Sequence, residues 1–398
     1  MIRSRRALAR FGCRLRHDDS GVVTHTTLLS EKRFMSDDLI RRSGSPGRKV
    51  SIQRETSPSG RRFARSANLK QTIRASGFVL LLPVLCQTCL ADEQGDRDPR
   101  GPARDQDVAV LKTSELEVVI SNNRSCERNG VEHRAGYNGI IAITSKSQPD
   151  TPFVPAYAGM NLEHYFDGSP RSDSHIFFEP RYAEMTLARI DEQTVELYQP
   201  TTPSFQVESW TRFRAKEPNA IDFSFRCVPH RQDYVGGFLG IFWASYINGP
   251  VDKSLYFIDA TSSLEQPLWR QLCTQQHNRD STILHASDST KLTFEGGDTL
   301  FANESPLRYS APFFYGRFRN MVLIYVFKPG SGVRFTHSPS GGGSTAKGDD
   351  TNPAWDYQLI VLDPIPGQEY RLEGRLIYNV WTDREDVLAE VSKFLAPQ

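Results

Sequence analysis

Residues 205–228 read FQVESWTRFRAKEPNAIDFSFRCV, and the reading alternates twice. Phe205, Val207, Ser209, Thr211 and Phe213 fall on one side of an extended chain, with Gln206, Glu208, Trp210, Arg212 and Arg214 on the other. After Glu217-Pro218-Asn219, whose residues suit a turn, Ile221, Phe223, Phe225 and Cys227 oppose Asp222, Ser224 and Arg226. Successive side chains of a strand point to opposite faces, so each run has one face for a core and one for polar surroundings. Strands joined by so short a turn pair antiparallel.

Runs of the same character recur on both sides. Upstream lie Glu115–Ser121, Gly139–Thr144, Glu184–Ile190 and Thr194–Gln199; downstream lie Gly240–Ile247, Leu255–Asp259, Lys291–Glu295, Met321–Phe327, Val333–Thr336, Trp355–Leu362 and Tyr370–Tyr378. Gly, Pro, Asn and Asp separate them, giving about thirteen expected strands. Helical periodicity is confined to the end, where Thr382 and Glu385 are expected to form a capping box ahead of Val387, Leu388, Val391, Phe394 and Leu395. No self-similarity at a fixed period supports a propeller or solenoid. The expected fold is all-β: one large two-sheet antiparallel sandwich over residues 111–398 with a short C-terminal helix. The Gly-rich stretch Ser338–Thr351 is expected to be a mobile loop between strands.

The charge is divided unevenly. Residues 1–91 carry 18 basic and 6 acidic side chains, leaving 30 of the 48 Lys+Arg and 41 of the 47 Asp+Glu for the remainder. An acidic body is unsuited to nucleic acid, whose phosphates require a Lys/Arg surplus. Residues 1–60 are polar and aperiodic, and are expected to be a disordered or mis-started head. Arg61, Arg62, Arg65, Lys70 and Arg74 precede the apolar run Phe78–Leu85 and then Cys89-Leu90-Ala91, the pattern of a signal peptide (61–91) cleaved after Ala91. Residues 92–110 are expected to be a linker, and the mature chain to be secreted or periplasmic without an integral membrane segment. Cys126, Cys227 and Cys273 would remain, enough for one disulfide in an oxidising compartment.

From Asn161 onward the order of features resembles that of the aldose 1-epimerase (galactose mutarotase-like) β-supersandwich family. Asn161-Leu162-Glu163-His164 with Gly168 is similar to that family's Asn-x-x-His-Gly region, and the 205–228 pair to its central antiparallel run. Asp356-Tyr357-Gln358, followed by Pro366-Gly367-Gln368-Glu369-Tyr370, resembles the place where it has Glu-x-Gln, Pro-Gly-Glu and its last strand. The resemblance implies a sugar ligand, Asp356 as a general base and His164 as an acid or hydroxyl contact. It also departs from the family: the stretch Phe242–Asn248 lacks the acid His that the family places ahead of Tyr-Phe-Asn.

Sugars are recognised by Asp, Glu, Asn and Arg contacts to hydroxyls and by aromatic faces against the apolar side of the ring. Residues of these types cluster around His133, Asn161, Arg181, Glu208, Trp210, Trp243 and Trp355, the candidate substrate-binding set. His277 and His285 have no partner at metal-ligand spacing and read as surface residues; no metal and no cofactor is expected. Nucleophile-elbow, His-Glu-x-x-His, Walker and dinucleotide motifs do not occur, which removes support for those enzyme classes. Three functions remain: an exported carbohydrate-binding, epimerase-like protein, a polysaccharide lyase on a similar sandwich, and a non-catalytic polysaccharide-adhesion module.

Overall fold

A computed structural model describes residues 107–124, 136–170, 173–295 and 299–397. The head, the signal-peptide segment, His133 and Cys126 lie outside the described residues. In chain order the strands are β1 (Val108–Lys112), β2 (Leu116–Ser121), β3 (Gly139–Ser145), β4 (Asn161–Phe166), β5 (Thr186–Asp191), β6 (Thr194–Gln199), β7 (Val207–Lys216), β8 (Ala220–Pro229) and β9 (Phe238–Ala244). They continue as β10 (Leu255–Ile258), β11 (Trp269–Leu272), β12 (Thr282–His285), β13 (Glu304–Tyr309), β14 (Phe313–Phe318), β15 (Met321–Phe327), β16 (Val333–Ser338), β17 (Ala354–Leu362) and β18 (Tyr370–Val380). Two one-turn helices, α1 (Ser174–Phe177) and α2 (Glu179–Tyr182), follow β4, and α3 (Arg384–Leu395) follows β18.

The protein is all-β with three sheets. Nine strands order as β11-β10-β14-β15-β18-β8-β7-β6-β5, six as β13-β12-β16-β17-β9-β4, and β1–β3 form a small third sheet that extends the expected sandwich of two. Pairing is antiparallel except between β12 and β13. The β7–β8 hairpin is antiparallel as expected, with Phe213 opposite Phe223 and Thr211 opposite Phe225, so both apolar rows lie on one face. β1 begins at Val108, inside the expected linker.

Alternation divides each large sheet into two faces. Leu323, Tyr325 and Phe327 of β15 join Phe223 and Phe225 against Leu239, Ile241 and Trp243 of β9, Phe335 of β16 and Tyr357 of β17, which together form the core between the sheets. Burying each large apolar side chain of this kind stabilises the fold by roughly 1.5–3 kcal/mol. The intervening residues Val322, Ile324 and Val326 face outward and are covered by Val387, Val391 and Phe394 of α3. On the six-stranded sheet the intervening residues Phe238, Phe242 and Ala244 face outward into a third cluster with Phe166, Tyr246 and Phe301.

Two expectations are corrected here, at the α3 cap and at Lys291–Glu295. The N-cap of α3 is Asp383, whose carboxylate accepts from the Asp386 amide at 2.9 Å, so Thr382 lies one residue outside the helix and the expected box does not form. The segment Lys291–Glu295 is not a strand. Cys227 is sealed in the core and Cys273 is partly exposed, and neither is bridged.

Candidate functional site

A cleft of about 420 Å³ opens on the outward face of the six-stranded sheet. Its floor is β9 and its continuation, where Phe242, Ala244 and Tyr246 alternate toward it while Trp243 turns to the core. Asp356 of β17 enters from one side, and Glu163 and His164 of β4 from the other. β9 lies between these two strands, so the two walls stand two strand spacings apart, roughly 10 Å between backbones. Phe177, Phe178, Leu300 and Phe301 make an apolar wall beside His164, and His277, Asn278, Ser338, Ser340 and Gly341 a polar rim opposite.

Glu163 and His164 are consecutive, yet both line the cleft. The reason is a bulge: the pairing of β4 with β9 slips between Leu162, opposite Trp243, and His164, opposite Phe242. Bulges insert one unpaired residue and re-aim side chains in this way, commonly beside functional sites.

Glu163 is held by many donors. The Tyr246 hydroxyl donates to it at 2.7 and 2.5 Å, Arg181 Nη1 at 3.3 Å and Asn161 Nδ2 at 3.3 Å. Burial opposes the charge of Arg181, but Tyr137 and Glu163 together hold the guanidinium protonated above its ordinary range. The guanidinium lies 4.2 Å from the Tyr137 ring centre and 4.6 Å from that of Phe178. Burial also pushes the Tyr246 phenol well up, with the Glu163 charge adding to it, so Tyr246 stays a donor.

His164 Nδ1 lies 2.6 Å from the Phe177 carbonyl oxygen. A carbonyl only accepts, so Nδ1 carries the hydrogen, and in the neutral ring the lone pair is on Nε2, which stands 3.7 Å from Glu163 Oε1. Asp356 Oδ1 accepts from the Ser245 amide at 3.0 Å. Burial pushes its carboxyl well above the usual carboxylate range, and the charge of Glu163 raises it further against that one amide donor. A carboxyl that holds its proton thus faces an imidazole with a defined tautomer.

Of the residues chosen from sequence, Asp356 and His164 meet in the cleft, and Asn161 and Arg181 stand behind Glu163. Trp243, Trp355, Trp210 and Glu208 are elsewhere. Trp243 stacks on Tyr357 at 5.0 Å in the core. Trp355, one residue before Asp356, points the opposite way and donates its Nε1–H to the Lys253 carbonyl at 2.8 Å. Trp210 and Glu208 are on the outward face of the nine-stranded sheet, where Arg226 covers the indole at 3.7 Å and Glu208 accepts from Tyr198 at 2.8 Å. His277, read as a surface residue, is at the mouth of the cleft with Nδ1 2.8 Å from Ser338 Oγ. Tyr246 and Glu163 were not chosen, although the alternation Phe242, Ala244, Tyr246 was visible. Among the described residues no group of His, Cys, Asp and Glu is arranged to hold a metal ion.

These features define an all-β sandwich with a cleft on one sheet that gathers carboxyl and imidazole side chains. No protein-family model matches the sequence, and no curated protein matches it. Among solved structures, a putative aldose 1-epimerase from Escherichia coli K12 is similar at 10% identity, covering 69% of this chain and 99% of that one with a TM-score of 0.39. A GalM/aldose epimerase homologue from C. elegans is similar at 10% identity, covering 69% and 100% with a TM-score of 0.40. A galactose mutarotase-like protein from Lactobacillus casei is similar at 7% identity, covering 68% and 100% with a TM-score of 0.38.

Proposed function

We propose that the cleft binds one saccharide ring and that Asp356 and His164 move protons on it in an aldose-epimerase-like step. The observation that carries this reading is that Asp356 and His164, far apart in sequence, line one cleft with an apolar wall on one side and hydroxyl-binding groups on the other. A pyranose has that division of surface, and the cleft volume is within the range of small-molecule sites, roughly 300–1,000 Å³.

The proton positions assign the roles. In ring opening, Asp356 gives its proton to the ring oxygen as the bond from that oxygen to the anomeric carbon breaks. The anomeric hydroxyl gives its proton to His164 Nε2 and becomes the aldehyde oxygen. Rotation about the bond to the next carbon presents the other carbonyl face, and closure reverses both transfers. The imidazolium formed midway is offset by Glu163 at 3.7 Å. This exchanges the base and acid roles implied by the family resemblance, and it needs no His within Phe242–Asn248. The lyase reading is less favoured: no Lys or Arg is among the described residues lining the cleft, so no cation there is placed to neutralise a uronate carboxylate beside Glu163. The signal-peptide pattern ending at Ala91 supports export of the mature chain as part of this proposal.

Polarimetry of freshly dissolved α-D-galactose and α-D-glucose tests it. The protein is expected to hasten the approach to equilibrium rotation, and Asp356→Asn to lower that rate by roughly 10²–10⁴, the range of a lost acid/base group. A protein that neither accelerates the approach to equilibrium nor binds either sugar would overturn the proposal.

A further inference from the structure

On the face of the nine-stranded sheet away from the cleft, where Trp381-Thr382-Asp383 leads into α3, an open groove of about 460 Å³ is lined by Asp252, Tyr256, Tyr315, Arg317, Trp381 and the first turn of α3. The strands build it. Pairing of β10 with β14 sets Tyr256 opposite Tyr315, with ring centres 5.1 Å apart and planes 17° from parallel. Trp381 extends the row, 5.6 Å and 27° from Tyr315.

Charges of both signs surround these rings. Arg384 Nε donates to the Tyr315 hydroxyl at 3.1 Å, and the Arg317 guanidinium lies 4.4 Å from the Trp381 ring centre. Burial opposes ionisation of Asp252, but donation from Ser254 and Tyr256 and the charge of Arg317 hold its carboxyl below the usual range. Asp383 is occupied in capping α3, and Glu385 is exposed beside it. Two guanidiniums against three carboxylates leave a net negative groove, which disfavours phosphate, sulfate or uronate ligands.

A sugar hydroxyl both donates and accepts, so adjacent hydroxyls are matched by guanidinium and carboxylate side by side, with aromatic rings for the apolar part of the ring. We propose that this groove is a second ligand site, taking a stretch of a neutral oligosaccharide and holding a polymer on the side of the protein opposite the cleft. The proposal stands on the groove's own rings and charges and goes beyond the reading of the cleft.

Electrophoresis of the full chain through gels containing barley β-glucan, galactomannan or soluble starch tests it. At least one polymer is expected to retard the protein. Trp381→Ala is expected to weaken that retardation about tenfold or more, the equivalent of about 1.4 kcal/mol. Arg384→Ala, at an exposed position that does not threaten folding, is expected to weaken it as well, whereas Asp356→Asn is expected to leave it intact. A protein that runs freely through all three gels overturns the proposal. So does retardation that Asp356→Asn abolishes and Arg384→Ala leaves unchanged, because the polymer would then be held in the cleft. A failure of epimerase activity has no bearing on either result.

Discussion

Gly316 lies against the Trp355 indole so closely that a Cβ at that position would stand 2.3 Å from the ring. The glycine gives β14 the space to pass under an aromatic of β17, and that aromatic is followed directly by Asp356. Gly316→Ala is therefore expected to destabilise the protein by about 1–3 kcal/mol through overpacking. Urea unfolding gives the value, and a change within a few tenths of a kcal/mol would contradict the packing described.

Asp356 is expected to cost stability at neutral pH. Its folded carboxyl holds a proton to a higher pH than the usual carboxylate, because of burial and then Glu163. Below the unfolded value of about 3.9 both states are protonated and the cost is absent. As pH rises from there toward the folded value the unfolded state alone ionises, and stability falls by about 1.4 kcal/mol per pH unit. Asp356→Asn keeps an acceptor for the Ser245 amide and removes this dependence. It should be more stable than the parent at pH 7, with the gap closing near pH 4 in denaturant titrations; a less stable variant at pH 7 contradicts this.

His337 is expected to act in the opposite sense. Its Nε2 donates to the Lys253 carbonyl at 2.8 Å while Nδ1 accepts from the Thr274 amide at 3.3 Å, which suits the neutral ring, and burial lowers its pKa to about 4. The unfolded imidazole gains a proton near 6.5, so stability present above that pH is lost as pH falls toward 4, by up to about 3 kcal/mol. His337→Gln is expected to flatten this part of the pH–stability curve. An unchanged slope between pH 6.5 and 4 would show that the ring takes up a proton without loss.

Arg181 and Glu163 form an enclosed ion pair, and removing one partner leaves the other charged and buried. Glu163→Ala and Arg181→Met are each expected to cost about 3–5 kcal/mol, more than Glu163→Gln, which retains a polar group for Tyr246 and Asn161. Thermal unfolding of the three variants side by side gives the order. Equal effects for Gln and Ala would indicate that the charge of Glu163 contributes nothing.

The β architecture was legible because alternation is written directly into segments such as Phe205–Phe213 and Ile221–Cys227, where one face is apolar and the other polar. It was weakest where both faces are covered. β9 and β15 are buried at every position, so nothing in their composition tells which residues face the core and which the cleft or α3. That is why Trp243 of β9 reads as a ligand contact and is core, and the same holds for Trp355 on β17, whose first six residues are all buried. Asp356 and His164 were found through the order of features around them. Glu163, beside His164, would be assigned to the opposite face by strict alternation, and Tyr246 follows a strand whose sidedness was not readable.

The slip in pairing between Leu162 and His164 also affects how this segment is aligned with others. Counting by twos from Asn161 gives the wrong side of the sheet for everything past Glu163. Deletion of Glu163 would restore regular pairing, leaving His164 opposite Phe242 on the cleft face and Tyr165 in the core, and would remove only the carboxylate. A relative that lacks one residue at this point would keep the same fold and the imidazole in its cleft but lose the carboxylate beside it, so gap placement at Glu163 separates sequences that carry both groups from those that carry the imidazole alone.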